Sequence, residues 1–122
     1  MKSFLFTVLF LSVGFLFAGV VPAEAKRVEL KPVEPVVIGL VRYSAPTLPE
    51  LMGFVVASDI SSGKELWRQQ IYRVFMKPFQ EQDVQWVFIT SLTRHHHSLL
   101  ITNERGEHFT LDLTNKKVTK RQ

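Results

Sequence analysis

Apolar and polar residues alternate over short runs near the C-terminal end of the chain, as they do in β-strands. In the run Glu107 to Leu113 every second residue is apolar, and these residues are Phe109, Leu111 and Leu113. Successive side chains of a strand point to opposite faces, so this run predicts a strand with one buried face. The apolar run Leu99 to Asn103 precedes it, and a turn at Gly106 would join the two runs as a hairpin.

Three further runs predict strands. Val84 to Leu92 is aromatic and β-branched, and it is apolar on both faces at its centre, which is typical of a strand inside a sheet. Val36 to Tyr43 and Gly53 to Asp59 are shorter runs of the same kind. Ser44 to Leu51 has two prolines and no apolar period, and Lys77 to Asp83 is mostly polar. Both of these segments indicate loops.

The segment 64–76 fits a helix as well as a strand. Ser62 and Glu65 have the spacing of a capping box, and Pro78 would end a helix. The residues that would share one helical face are Trp67, Ile71, Val74 and Phe75. The same run alternates poorly as a strand, so periodicity leaves a helix at 64–76 as the main alternative to a strand.

Four residues are predicted to shape the turns between strands. Asp59 can accept backbone N–H groups with its carboxylate, and Gly63 can take the positive φ that the exit of a short hairpin loop requires. Gly106 is expected to be left-handed in the next hairpin. Asn115 is expected to replace glycine in the last one, because asparagine tolerates the left-handed conformation.

The stretch Ala57 to Trp67 resembles the repeat of quinoprotein-type β-propellers, through the pattern A-x-D-x-x-S-G-K-x-x-W. In that family the glycine turn joins two strands of a blade and the tryptophan packs between blades. The resemblance implies that Glu65 to Val74 is a strand rather than a helix. A second stretch, "LDLTNKKV", keeps Asp112 and Lys116 but lacks the glycine and the tryptophan. The resemblance covers about 11 residues and carries over no cofactor-binding residue, so no quinone or other cofactor is expected.

These patterns together predict a mostly β fold. We expect a single domain over residues 36–122, a small antiparallel meander of about six or seven strands, sandwich-like or blade-like. A propeller blade needs ~40–45 residues, so this length accommodates two blades at most. Such a unit leaves edge strands open, and completion of its sheets in an oligomer is one interpretation.

The N-terminal residues have the three-part pattern of a secretory signal. A positive start precedes the apolar run Phe4 to Val21, and Ala23 to Ala25 supplies the small residues of a cleavage site. We predict a signal peptide over residues 1–25 and an extended, proline-containing leader over 26–35. The expected location is therefore secreted or periplasmic. The apolar run is also long enough for an uncleaved membrane anchor, which is the alternative; no later segment is predicted to span a membrane.

The composition limits the catalytic and metal-binding sites that the chain can form. The chain has no cysteine, which excludes a catalytic thiol and a thiolate metal site. Its formal charge of +4 favours anionic partners, although ordinary solubility also explains it. Serine occurs in no G-x-S-x-G motif and the carboxylates show no paired arrangement, so no catalytic residue is assigned.

Two groups of residues are candidates for contacts. The binding candidates are the aromatic residues Tyr43, Tyr72 and Trp86 and the basic residues Lys116, Lys117, Lys120 and Arg121. His95 and His97 are metal candidates, since they would point the same way on a strand. His108 lies too far along a separate hairpin to complete a set of three ligands.

The sequence therefore predicts a small exported, non-enzymatic envelope protein. It would act as a binding or accessory module for an unknown protein or an anionic envelope surface, and no nucleic-acid partner is expected. The alternative is a metal-binding protein or an enzyme that uses the His95–His97 loop.

Overall fold

Each half of the described chain folds into a four-stranded antiparallel meander. The computed structural model describes residues 30–81 and 85–122. The first sheet contains β1 (Val36–Ile38), β2 (Val41–Ser44), β3 (Phe54–Asp59) and β4 (Glu65–Gln70). The second sheet contains β5 (Ile89–His95), β6 (Ser98–Asn103), β7 (His108–Asp112) and β8 (Val118–Arg121). A short 3-10 helix spans Pro49–Leu51.

The all-β class and the blade-like meanders are confirmed, with eight strands instead of six or seven. The predicted signal peptide lies outside the described residues. Residues 30–35, the described part of the predicted leader, form no strand or helix.

One extra strand comes from the run Val36 to Tyr43, which is a hairpin and not one strand. Gly39 has φ 64°, and the chain reverses there so that Ile38 pairs with Val41. The sequence is apolar on both sides of this turn, which hides the reversal from an argument based on alternation. Glycine supplies the left-handed conformation that such a tight turn requires.

The strand predicted at Val84 to Leu92 lies further along the chain, at Ile89–His95. Residue 84 is outside the described residues, and Trp86 to Phe88 form no strand. The N–H of Phe88 donates instead to the Glu104 side chain, at 2.9 Å. At its other end the strand continues to His95, so the turn is confined to residues 96 and 97.

The helix considered at 64–76 does not form. Residues 65–70 pair with β3, with a register shift between Ala57 and Ser58, and residues 71–77 are irregular. The hairpin turn before β4 is closed by two backbone hydrogen bonds, from Asp59 N to Lys64 O at 2.8 Å and from Gly63 N to Asp59 O at 2.7 Å. Pairing with β3 thus overrides the helical periodicity.

The core lies between the two sheets. The side chains of Val55, Leu99, Ile101 and Leu111 have no solvent exposure. They belong to one cluster that also takes in Tyr43, Ala45, Ala57, Ile71, Ile89, Leu92 and Phe109. Each sheet therefore buries one face against the other, and burial of this shared apolar surface holds the two meanders together.

The two sheets are structural repeats of each other. In the first, Asp59 N donates to Lys64 O, and in the second, Asp112 N donates to Lys117 O at 2.9 Å. The register extends this equivalence through the strands, because Val56 pairs with Ser44 just as Phe109 pairs with Ile101. The two sheets are stacked in the same orientation, so that the face carrying Val56 and the face carrying Phe109 point in the same direction. The face of the second sheet that packs on the first thus corresponds to a face of the first sheet that points away from the core.

The meanders also give the molecule two different ends. The four tight hairpin turns lie at one end, which we call the turn end; its segments are 39–40, 60–64, 96–97 and 113–117. The longer connections lie at the opposite end, which we call the loop end; its described segments are 45–53, 71–81, 85–88 and 104–107. The Tyr72 hydroxyl donates to Val87 O at 2.6 Å and ties this end together.

Candidate functional site

The outer face of the first sheet is the most apolar sheet surface that points away from the core. It is formed by the alternate residues of β1 to β4 that do not face the second sheet: Val37, Arg42, Ser44, Phe54, Val56, Ser58, Arg68 and Gln70. Val37 is 47% exposed at the β1 edge. Val56, at the middle of the face, is 8% exposed yet lies outside the core cluster.

Two arginines lie among the apolar residues of this face, Arg42 on β2 and Arg68 on β4. Arg68 donates from Nε and Nη2 to the Glu65 carboxylate, at 2.8 and 2.9 Å. The hydrogen bonds from Arg68 lower the pKa of Glu65 below its ordinary value. Arg42 makes no ion pair within residues 30–81 and 85–122, so its charge is open to a partner.

A hollow of about 250 Å³ lies on the same side of the first sheet. It is lined by Arg42, Ser44, Ser58, Asp59, Ile60 and Gly63 from the sheet, and by Val33 and Pro35 from the leader. Charged, hydroxyl and apolar groups meet there, as they do in protein–protein contacts.

The outer face of the second sheet is polar by contrast. Its residues are Ser91, Thr93, His95, Ser98, Leu100, Thr102, His108, Thr110, Asp112, Thr119 and Arg121. Thr102 and His108 are hydrogen-bonded side by side, with 3.1 Å between Oγ1 and Nδ1. A face of hydroxyls and imidazoles is well solvated and has no need of a covering partner.

The aspartate turn of the propeller-like stretch is held by its own side chains. Ser62 Oγ donates to Asp59 Oδ2 at 3.0 Å, and Lys64 N donates to Ser62 Oγ at 3.1 Å. Gly63 has φ 78°, which is the conformation that the sequence assigned to it. Asp59 Oδ1 also accepts a hydrogen bond from Ser61 N at 3.4 Å, so the Asp59 side chain bonds within its own turn.

The last turn differs from expectation in one residue. The left-handed conformation assigned to Asn115 belongs to Lys116, with φ 63°. Asn115 accepts a hydrogen bond from Lys117 N through Oδ1, at 2.9 Å, and Asp112 Oδ1 accepts one from Thr114 N at 2.8 Å. The side chain of Asn115 therefore caps the turn, and the equivalent of Gly63 is the next residue. Gly106, in the preceding hairpin, has φ 77°.

Trp67 packs at the junction of the two sheets. Its ring centroid is 5.9 Å from that of Tyr43 in the same sheet. Lys116 Nζ, from the last turn of the second sheet, lies 4.9 Å from the Trp67 ring centroid. This cation–π contact links β4 of the first sheet to the last turn of the second, so Trp67 packs between the two meanders, as the propeller resemblance implied.

The aromatic binding candidates are mostly used by the fold. Tyr43 is 8% exposed, and burial raises the pKa of its hydroxyl. The core covers its ring, and a contact between Tyr43 and a partner stays a prediction. Tyr72 stacks on Phe109 with 5.3 Å between centroids, and burial raises the pKa of its hydroxyl strongly. Trp86 is half-buried beside Phe88, in the lining of a hollow at the loop end.

The basic candidates do not form one patch. Lys116 covers Trp67 at the turn end, and Lys117 is exposed beside it. Lys120 Nζ lies 3.1 Å from Glu107 Oε2, and β8 carries Lys120 and Arg121 toward the other end of the sheet. The strand direction thus separates the four cations that the sequence groups in one tail.

The histidines stay exposed at the turn end. The His95 and His96 rings meet edge to face with 4.4 Å between centroids, and the carbonyl of His97 accepts a hydrogen bond from Leu113 N. Within residues 30–81 and 85–122, no three histidine or acidic side chains are arranged to hold a metal ion. A role of His95 and His97 in metal binding stays a prediction.

Sequence reasoning predicted a loop at Lys77 to Asp83 but missed the exposed phenylalanines in the connection between β4 and β5. Phe75 is 78% exposed and Phe79 fully exposed, although aromatic residues of a small domain are mostly buried. Phe79 has φ 68°, which is unusual for a bulky residue. The basic residues Arg73 and Lys77, which alternate with Phe75 and Phe79, were the available signal.

No helix in the described part of the chain is long and apolar enough to cross a membrane. No protein-family model and no curated protein matches the chain. Among solved structures, the crystal structure of BamB from Moraxella catarrhalis is similar, with a TM-score of 0.54 and 17% identity over 71% of this chain. The match covers 25% of that chain, so this protein spans about a quarter of the length of its β-propeller neighbour. At this identity the likeness shows the fold alone, and the fold agrees with two adjacent propeller-like blades.

Proposed function

We propose that the protein is a non-enzymatic accessory module of the cell envelope, and that it binds a protein partner through the outer face of the first sheet. The observation that carries this proposal is the structural repeat. On the second sheet, the face equivalent to this one holds Phe109 and Leu111 and packs on a neighbouring sheet. On the first sheet the same face carries Val56 and the exposed Val37, and no sheet covers it within residues 30–81 and 85–122.

The chemistry of this face fits a protein partner. Val37, Phe54 and Val56 supply the apolar groups of this face, and arginine is enriched in protein interfaces because it combines an apolar stem with a fork of donors. The open guanidinium of Arg42 predicts a carboxylate on the partner. An envelope location is supported by the predicted export signal.

Site-specific photo-crosslinking tests the proposal in cells that produce the protein. A photoreactive phenylalanine analogue replaces Val37 in one variant and Thr93 in the other. Both residues lie on outer faces, on the equivalent strands β1 and β5. We expect one discrete protein adduct from position 37 and none from position 93, and mass spectrometry of the adduct identifies the partner.

Direct binding then decides the role of the face. The purified partner is titrated with the wild type, with Val37→Asp and with the matched control Thr93→Asp. We expect Val37→Asp to weaken binding at least about tenfold and Thr93→Asp to leave it unchanged. Arg42→Ala should reduce the salt dependence of binding, since a charge contact is screened by salt. Equal adducts from both positions, or equal affinities of the two Asp variants, would contradict the proposal.

A further inference from the structure

The connection between β4 and β5 presents two phenyl rings to water at the loop end. Phe75 and Phe79 are the two most exposed large hydrophobic residues described, at 78% and 103% exposure. Val74 and Met76, on either side of Phe75, are half-buried. Full burial of a phenylalanine side chain is worth about 1.5–3 kcal/mol, so two phenyl rings in water are a substantial unused driving force for contact.

The loop that carries Phe79 is held in place by one side chain. Gln85 Oε1 accepts a hydrogen bond from Lys77 N at 2.6 Å. Its Nε2 donates to the carbonyls of Lys77, Gln80 and Glu81, at 3.3, 3.4 and 3.1 Å. This clamp closes the loop around Phe79, which adopts the left-handed conformation at φ 68°. Such a conformation costs free energy, and structures retain it where it orients a functional group.

Two cations alternate with the exposed rings. The Arg73 guanidinium carbon lies 5.7 Å from the Phe75 ring centroid, and Lys77 is exposed between the two phenylalanines. Glu81 follows the tip of the loop. Long basic side chains keep their charge at phosphate level while neighbouring apolar groups enter the hydrocarbon.

We propose that the loop Arg73–Phe79 inserts Phe75 and Phe79 into the interfacial region of a phospholipid bilayer, with Arg73 and Lys77 at the lipid phosphates. Lipids are fluid and can surround each of the two exposed phenyl rings without a preformed pocket. A protein contact would need a preformed pocket and a rim that excludes water. This contact uses a different surface from the outer face of the first sheet, so the two proposals stand or fall separately.

Vesicle binding tests the insertion. The exported protein, with its N-terminus defined by mass spectrometry, is mixed with vesicles of phosphatidylcholine containing about 30% phosphatidylglycerol. We expect Phe75→Ser/Phe79→Ser to lower the partition coefficient at least about tenfold, since two apolar anchors are lost. The matched control is Leu40→Ser, which removes a 74% exposed side chain at the turn end and should leave partitioning unchanged. All variants share one N-terminus, so any lipid contact made there is common to them.

Fluorescence quenching measures how deeply the loop enters the bilayer. The fluorescence of the Phe79→Trp variant should be quenched by lipids brominated on their acyl chains, whereas that of Leu40→Trp should change no more than the wild type. Gln85→Ala keeps both phenyl rings but removes the clamp, and we expect it to bind vesicles more weakly than the wild type. Absence of added quenching in Phe79→Trp, or unchanged partitioning of the double serine variant, would overturn the proposal. Loss of a protein partner in the double variant, with unchanged vesicle binding, would assign the loop to a protein contact and overturn it equally.

Discussion

The two sheets share one backbone plan but differ on the faces that they turn away from each other. The outward face of the second sheet is mostly threonine, serine and histidine. The outward face of the first has Val37 on β1 beside Arg42 of β2, and it has Phe54 and Val56 on β3, between the strands of Arg42 and Arg68. In a stack of repeated units, the terminal unit has a polar outer face that is exposed to water. An internal unit has apolar faces that pack on its neighbours. The second sheet therefore resembles a terminal unit, and the first resembles an internal unit with a neighbour missing.

The difference between the two sheets depends on a few equivalent positions. Val56 and Phe109 occupy equivalent places, three residues before the aspartate of each turn, and Ser58 and Leu111 are equivalent in the same way. On the face covered by another sheet these positions hold large apolar residues. On the face that no sheet covers within residues 30–81 and 85–122, they hold a smaller residue and a hydroxyl. Larger apolar side chains thus occur at these positions on the face that another sheet covers.

The largest effect is expected at the equivalent pair Phe109 and Val56. Phe109→Ala removes a ring that packs between the sheets and stacks on Tyr72, and it should lower the free energy of unfolding by about 3–5 kcal/mol. Val56→Ala should cost about 1 kcal/mol, since it removes a smaller side chain from a face that no sheet covers in the described part of the chain. Urea unfolding followed by circular dichroism measures both. Equal losses would mean that the outer face of the first sheet is packed as firmly as the core.

Two left-handed glycines at the loop end differ in the space around them. A Cβ at Gly53 would lie 2.5 Å from the carbonyl oxygen of Tyr72, while one at Gly106 would meet nothing within 4 Å. Gly53→Ala adds this backbone clash to the cost of positive φ and should destabilise by about 3 kcal/mol; Gly106→Ala should cost about 1 kcal/mol. Thermal unfolding of the two variants checks the order. A larger loss at Gly106 would contradict the described approach of Gly53 to Tyr72.

The equivalent turn residues Gly63 and Lys116 give a smaller contrast. Gly63→Ala places a side chain at φ 78° in open space and should cost about 1 kcal/mol. Lys116→Gly relieves a similar strain but removes the ammonium group over the Trp67 ring, worth about 0.5–1 kcal/mol. The two terms should nearly cancel, so the stability of Lys116→Gly stays close to wild type. A clear gain in stability would show that the contact with Trp67 contributes nothing.

Much of this architecture could be predicted from the sequence, because β-patterning and turn chemistry are local. The alternation at Glu107 to Leu113 and the aspartate–glycine turn at Asp59 each depend on neighbouring residues only. The hairpin at Gly39 could not be predicted, since both of its strands are short and the residues on either side of the glycine are apolar. The exposure of Phe79 depends on the Gln85 clamp, and the character of each outer face depends on which sheet lies opposite. Those are properties of the assembled fold.

The smallest effect is expected from two ion pairs, one in each sheet. In the second sheet, hydrogen bonds from Asn103 and then Lys120 lower the pKa of Glu107 below its ordinary value of 4.5. Because the folded-state pKa is the lower one, Glu107 stabilises the fold above pH 4.5, and this contribution is lost as the pH falls through the lowered value. Glu65 in the first sheet is also lowered, but by Arg68 three residues along its own strand.

The variants Glu107→Gln and Glu65→Gln separate these two cases. Glutamine at position 107 can still accept the hydrogen bond from Asn103 Nδ2 but cannot titrate. We expect Glu107→Gln to flatten the decline of stability below pH 4.5, and Glu65→Gln to change it little, because the Glu65–Arg68 pair is exposed and local and joins no separate strands. Urea unfolding at a series of pH values measures the slope for each variant. An equal flattening by both would mean that the exposed pair on the first sheet is coupled to folding as strongly as the cross-strand contact on the second.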